Sequence, residues 1–216
     1  MERSDVWTAI DEHRRVLVRL LEGLSGEEWG RPSLCDGWTV RQVAAHLALQ
    51  NTTWSMMPRA VLDLVRHGGM NGAIHAMACR HAELPIHVII GEVRDRIGVW
   101  RPLPSVTLRE TAIDYLVHSQ DIAVPLGRSL EMPRDLAAVA AERVWSRSRM
   151  FHARKKLAGY RLVANDARWA AGQGHEVCGP IRALLLLLTG RAAALPQLSG
   201  SGAVGLRMLL APSSAD

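Results

Sequence analysis

The chain reads as a mainly α protein, a helical bundle over residues 1–155 followed by a small α+β appendage over residues 156–216, and three observations predict it. Apolar residues in the first 24 positions recur with the period of a helix. Three Ser/Thr-x-x-Glu/Gln boxes mark helix starts within the first 110 residues. After Gly159 the pattern changes to short apolar stretches separated by Gly and Asn-Asp turns. A chain of 216 residues can bury a sizeable core as one domain with a small addition.

The elements follow in order. Between Asp5 and Leu24, Val6, Ile10, Leu17, Leu20, Leu21 and Leu24 form one broad stripe, as a core-facing bundle helix should. Ser25-Gly-Glu-Glu28 is a capping box that opens a short turn, and Thr39-Val-Arg-Gln42 is a second, which places His46 about two turns into its helix. Residues 51–66 read as helical around Pro58, Gly68-Gly69 breaks the pattern, and Met70 to Glu83 resumes it. Pro85 begins a helix from Ile86 to Trp100, which Pro102 and Pro104 end. Thr107-Leu-Arg-Glu110 is a third capping box and opens a helix through Asp114 and His118 to about Val124, stopped by Pro125 and Gly127. Pro133 begins another, to about Met150. In the appendage Tyr160 to Ala164 reads as a strand, with a second near 168–171 or 175–177. Gly179-Pro180 then starts a short apolar helix ending at Gly190, and the tail from Ser199 is Gly/Ser-rich.

Composition excludes several classes. Hydrophobic content of 48% and charged content of 22% are ordinary for a soluble globular protein. The longest apolar run, Ala183 to Leu188, falls far short of the roughly 20 residues a bilayer span needs, and no basic stub with an apolar stretch opens the chain, so neither membrane nor export is expected. Cys35, Cys79 and Cys178 are odd in number and lack CxxC spacing, which points away from a disulfide framework and toward a reducing cytoplasm. Net charge is +5, yet only Lys155 and Lys156 of the 26 basic residues are lysines, and the arginines are spread along the chain. The one cluster, Arg143 to Arg161 with Arg147, Arg149, Arg154, Lys155 and Lys156, reads as a solvated basic helix, with a phosphate-binding stripe as the sharper alternative. A nucleic-acid-binding module ranks last, because the interleaved aromatics are limited to Trp145, Phe151 and Tyr160.

The residues that carry chemistry are histidines and a carboxylate. Asp114 and His118 are one helical turn apart and share a face, and His46 on another helix would complete three ligands. Three protein ligands leave a fourth position on a tetrahedral zinc ion open for water, a thiolate or a substrate. His75 and Cys79 have the same i, i+4 spacing, and His81 and His87 lie near a loop, so spacing alone does not choose among these sets.

Leu34-Cys-Asp-Gly-Trp-Thr-Val-Arg-Gln-Val-Ala-Ala-His-Leu47 resembles the Trp-Thr-Val…His signature of the mycothiol-dependent maleylpyruvate isomerase family, itself part of the DinB-like four-helix-bundle metalloenzymes. Asp114-Tyr-Leu-Val-His-Ser-Gln-Asp121 with Pro125-Leu-Gly127 is similar to that family's Glu-x-x-x-His-x-x-Asp segment. Arg161 to Trp169 and Gly179 to Arg191 resemble its C-terminal domain, and the three matches in order cover most of the chain.

The resemblance implies a DinB-like four-helix bundle and a metal, zinc or another divalent ion, held by His46, Asp114 and His118. It departs from the family pattern at Asp114, where glutamate is expected; the aspartate is one methylene shorter, so it ligates from a closer helix or acts through a water. Asp121 would orient His118 from behind or cap the helix end. Arg191 loosely matches an arginine that would bind an anionic substrate group, and its plainer reading is a cation at a helix C-terminus. What the resemblance further implies is an enzyme that uses mycothiol as co-substrate. The zinc-activated thiol attacks a small electrophile, giving cis-trans isomerisation if it is expelled after bond rotation and S-transfer if it is retained. The alternative within the same fold is a bundle with a drifted site, acting as a binding or stress-associated protein. The expected partners are a small thiol and a small electrophilic substrate, with the protein a monomer or homodimer.

Overall fold

The computed structural model describes residues 1–51, 66, 68–102, 106–147 and 151–210. The helix expected around Pro58 falls almost wholly outside them. The chain divides into two compact units, residues 2–131 and residues 132–216 together with Met1.

In the first unit α1 (Arg3–Glu22) buries Val6, Trp7, Ile10, Leu17 and Leu21 along one stripe, as its period requires. The same helix also buries three polar residues, Asp11, His13 and Arg14. Arg14 is fully buried and pairs with Asp11 at 2.9 Å, donates to the Arg96 carbonyl at 2.7 Å, and lies 4.6 Å over the Tyr115 ring. Asp11 in turn accepts from the Gly98 amide (2.9 Å) and the Trp100 indole (2.8 Å). A buried charge needs such a set of partners.

Two of the three capping boxes form in full. Ser25 and Glu28 exchange hydrogen bonds at 2.8 and 3.3 Å at the start of α2 (Gly26–Gly30). Thr39 and Gln42 do the same at the start of α3 (Val40–Ala48). At Thr107 the expectation fails in part: the hydroxyl donates to the Glu110 carboxylate rather than accepting from its amide, although the helix still begins there. Between these lie α4 (Met70–His81) and α5 (Ile86–Arg94). Helix α5 stops at Arg94 rather than Trp100, because Gly98 takes a left-handed φ of 82° and Asp11 draws Gly98 and Trp100 toward α1. Helix α6 (Leu108–Ala123) ends in a 3₁₀ turn at Val124–Leu126.

Helices α1, α3, α5 and α6 form a closed four-helix arrangement, with α1 and α3 each packed on both α5 and α6. Val40, Val43, Ala44, Leu47, Ile89, Ala112, Leu116 and Ile122 are all fully buried there. The small Ala44, Ala45 and Ala48 let neighbouring backbones approach α3.

In the second unit α7 (Arg134–Ser146) packs on α9 (Ile181–Leu188), so this helix lies with the appendage rather than with residues 2–131. It ends at Ser146, short of the expected Met150. A single turn, α8 (Ala153–Lys156), leads into the sheet. Strand β1 (Tyr160–Ala164) sits centrally, antiparallel to β2 (Ala170–Gly172) and parallel to β3 (His175–Gly179), so both alternatives for the second strand are used. The turn between β2 and β3 needs Gly174: it has φ 116°, and a Cβ there would lie 2.1 Å from the Gly159 carbonyl oxygen. Asp166 caps α9 by accepting from the Ile181 amide at 2.7 Å. The tail holds a helix that its composition conceals, α10 (Ala203–Leu210). No described helix is long and apolar enough to cross a membrane.

Candidate metal centre

Helices α3 and α6 bring together what the sequence placed 68 residues apart: His46 Nε2 and His118 Nε2 each lie 3.4 Å from the same oxygen, Asp114 Oδ1. The imidazole rings meet edge to face, 4.9 Å between centroids. Side-chain exposures of 17%, 31% and 18% for His46, Asp114 and His118 leave the cluster partly accessible to solvent, as entry of a ligand requires.

Ligand-type atoms of these three residues fall within 4.8 Å of one another, and so do those of a second group, Cys35, His118 and Asp121. Spacing separates the two. Around a tetrahedral zinc with bonds of about 2.0–2.1 Å, neighbouring nitrogen and oxygen ligands stand about 3.3–3.4 Å apart. An N–H···O hydrogen bond holds the same atoms at about 2.9 Å. The inner group, at 3.4 Å on both edges, matches the ion. The outer group matches protons: His118 Nδ1 donates to Asp121 Oδ2 at 2.9 Å, and Cys35 Sγ donates to the same oxygen at 3.0 Å.

His118 therefore has a different task on each side of its ring. Donating from Nδ1 to the fully buried Asp121 leaves the Nε2 lone pair facing Asp114 and His46, the arrangement that orients metal-bound histidines. Of the two roles expected for Asp121, the observed contact is with His118. Burial alone would push the Asp114 carboxyl up, but the charge of His46 and the His118 imidazole beside it hold it well below the usual carboxylate range. Burial likewise opposes charge on His118, but Asp114, Asp121 and Cys35 outweigh it and raise the imidazole well above its ordinary value. Two imidazoles thus converge on one carboxylate, a donor set that could hold a divalent cation.

Two neighbours were not foreseen as parts of the site. Gln50, 7% exposed, donates from Nε2 to Asp114 Oδ2 at 2.6 Å. A signal existed: it lies one helical turn beyond His46, an amide that follows the apolar Leu47, Ala48 and Leu49. Trp38 places its ring edge-on to His46 (5.8 Å) and stacks on His75 (5.2 Å). Cys35 is half-buried and its thiol donates to Asp121, a contact no spacing rule reveals. The competing residues have other partners: Cys79 accepts from Gln42 at 3.2 Å and His81 pairs with Glu92. Among the described residues neither joins a convergent group of three. Arg191 lies in the second unit, where its guanidinium donates to the Thr189 carbonyl at 2.6 Å just past the end of α9, in keeping with its plainer reading.

Residues 10–85 match the family model of the mycothiol maleylpyruvate isomerase N-terminal domain, so the resemblance read from the sequence is borne out over that stretch, which includes His46 and stops before Asp114 and His118. No curated protein shows significant sequence similarity to the chain. Among solved structures, the chain is similar to a mycothiol-dependent maleylpyruvate isomerase at a TM-score of 0.65 and 16% identity, with 94% of each chain covered. It is similar to a histidine-to-alanine mutant of a mycothiol-dependent maleylpyruvate isomerase at 0.64 and 15%, again with 94% of each covered. At such identities the likeness fixes the fold, a DinB-like helical bundle with a small C-terminal sheet, as expected from the sequence.

Proposed function

We propose that this protein is a metal-dependent enzyme that uses mycothiol to isomerise a small electrophilic substrate about a cis double bond, with His46, Asp114 and His118 as the metal ligands. The observation that carries it is the pair of 3.4 Å edges from Asp114 Oδ1 to two imidazole nitrogens, on a partly accessible cluster at the position the family resemblance implies. The family match over residues 10–85 supports the thiol and the reaction class.

A zinc or similar divalent ion so held offers an open coordination position and lowers the pKa of a thiol bound there, so that a thiolate is present at neutral pH. The chain's own residues do the rest. His46 and Asp114 fix two corners of the site, and Asp121 keeps the third, His118, in the tautomer whose Nε2 faces inward. Trp38, stacked on His75, sets its ring edge-on to His46. Mycothiol's sulfur adds to one carbon of the conjugated double bond, the resulting single bond rotates, and expulsion of the same thiolate restores the double bond in its trans form, so the thiol is regenerated. Retention of the new carbon–sulfur bond would make the same first step an S-transfer.

The test is turnover. Metal-loaded protein is mixed with maleylpyruvate, with mycothiol or glutathione or neither, and the product isomers are resolved chromatographically. Conversion that requires both metal and mycothiol is expected. Conversion independent of any thiol, or no conversion and no thioether under any condition, would contradict the proposal.

A further inference from the structure

We propose that Gln50 is a positioning residue of this centre: its amide fixes Asp114 so that one carboxylate oxygen alone faces both imidazoles, and it lets a short aspartate serve where the family pattern has glutamate. This rests on the metal-site reading above. Asp114 divides its two oxygens cleanly, since Oδ2 accepts from Gln50 Nε2 at 2.6 Å while Oδ1 stands 3.4 Å from His46 Nε2 and 3.4 Å from His118 Nε2. A carboxylate only accepts, so the amide nitrogen of Gln50 must be the atom turned toward it. The bond is short and charge-assisted, and its donor is 7% exposed, so water does not readily replace it.

The geometry ties ligand to ligand. Gln50 lies in the 3₁₀ turn Leu49–Asn51 that continues α3, one turn after His46, so a single element supplies one ligand and the clamp on another. An aspartate carboxylate on its short stem can rotate to present either oxygen, or both, to the imidazoles. With Oδ2 held from α3, the carboxylate plane is set and Oδ1 is the oxygen left to coordinate. A glutamate at position 114 would place its carboxylate one methylene further out and would not depend on that bond in the same way.

Hydrogen-bonding partners of ligating groups typically contribute about 10–100-fold in metal affinity. The test measures zinc affinity by chelator competition, and the ligand-field spectrum of the cobalt form, in wild type, Gln50→Met, Asp114→Glu, the double variant, and His46→Ala. Methionine keeps the length and bulk of glutamine and removes the donor, and far-UV circular dichroism checks the fold. Gln50→Met is expected to bind zinc about 10–100-fold more weakly with an altered cobalt spectrum, and the loss is expected to shrink several-fold in the Asp114→Glu background. Should Gln50→Met fail to fold, Gln50→Asn, whose amide is one methylene too short to reach, is expected to show the same loss. Wild-type affinity in the Gln50 variants, while His46→Ala loses metal, would overturn the role of Gln50 and leave the metal site standing. An equal loss in both backgrounds would overturn the compensation for the shorter acid. Equal metal content in wild type and His46→Ala would remove the metal reading and this inference with it.

Discussion

At the scale of single residues, two histidines on opposite sides of their ordinary pKa make opposite predictions. His118 in the metal-free protein is raised well above the usual value, by Asp114 and Asp121 against the effect of burial. Its contribution to metal-free stability is present below about pH 6.5, the unfolded value, and is lost as pH rises through the raised folded value. A metal must displace that proton, so zinc binding should release protons and weaken as pH falls, which calorimetry in buffers of different ionisation heat will detect. His118→Ala should abolish both effects. His13 is the converse: burial lowers it to about 4, and its Nε2 meets the Ser119 hydroxyl at 2.8 Å. Between about pH 4 and 6.5 the unfolded chain binds a proton there that the native one does not. Acidification through that window should therefore cost up to about 3 kcal/mol. Urea unfolding at pH 5 and 7 should show a smaller acid loss for His13→Gln than for wild type; an equal loss would contradict the assignment. The convergence of His46, Asp114 and His118 was legible because the family motif singled them out from sets that share the same helical spacing. His13, Arg14 and Gln50 were not, since a polar residue inside an apolar stripe looks the same whether it faces a partner or water.

Elements were legible where their starts are local. The Thr39–Gln42 box begins α3 and thereby sets where His46 stands, and both of its hydrogen bonds form. Thr39→Ala should cost about 1 kcal/mol in chemical denaturation, while leaving metal affinity close to wild type once folded. Element ends were harder to read. Helix α5 is cut short at Arg94 by Asp11, which is 83 positions earlier and invisible to any window around Trp100. Both candidate second strands form because β1 has two edges, and the sequence does not say which edge a short stretch will take. Helix α10 was missed because only Ala203 and Leu206 of its residues are buried, too few to set a period amid glycines and serines.

For the whole molecule, every named residue of the centre from Cys35 to Asp121 belongs to the unit 2–131, and the basic stretch belongs to the second unit. There Arg154 lies 5.7 Å over the Trp145 ring, which engages one of its cations internally. Binding to DNA or RNA should accordingly be weak, without sequence preference, and lost at moderate salt; tight, selective binding at physiological ionic strength would contradict that. The overall architecture was the most legible level, because it follows from helix periods and their order. Which helices touch was not, and that is what turns three separated residues into one site. The most direct test of that site is the electronic spectrum of the cobalt-loaded protein titrated with mycothiol. An intense thiolate-to-cobalt charge-transfer band in the near ultraviolet, absent from His46→Ala and His118→Ala, is the predicted result. A spectrum that mycothiol leaves unchanged while cobalt stays fully bound would contradict thiol activation at this centre.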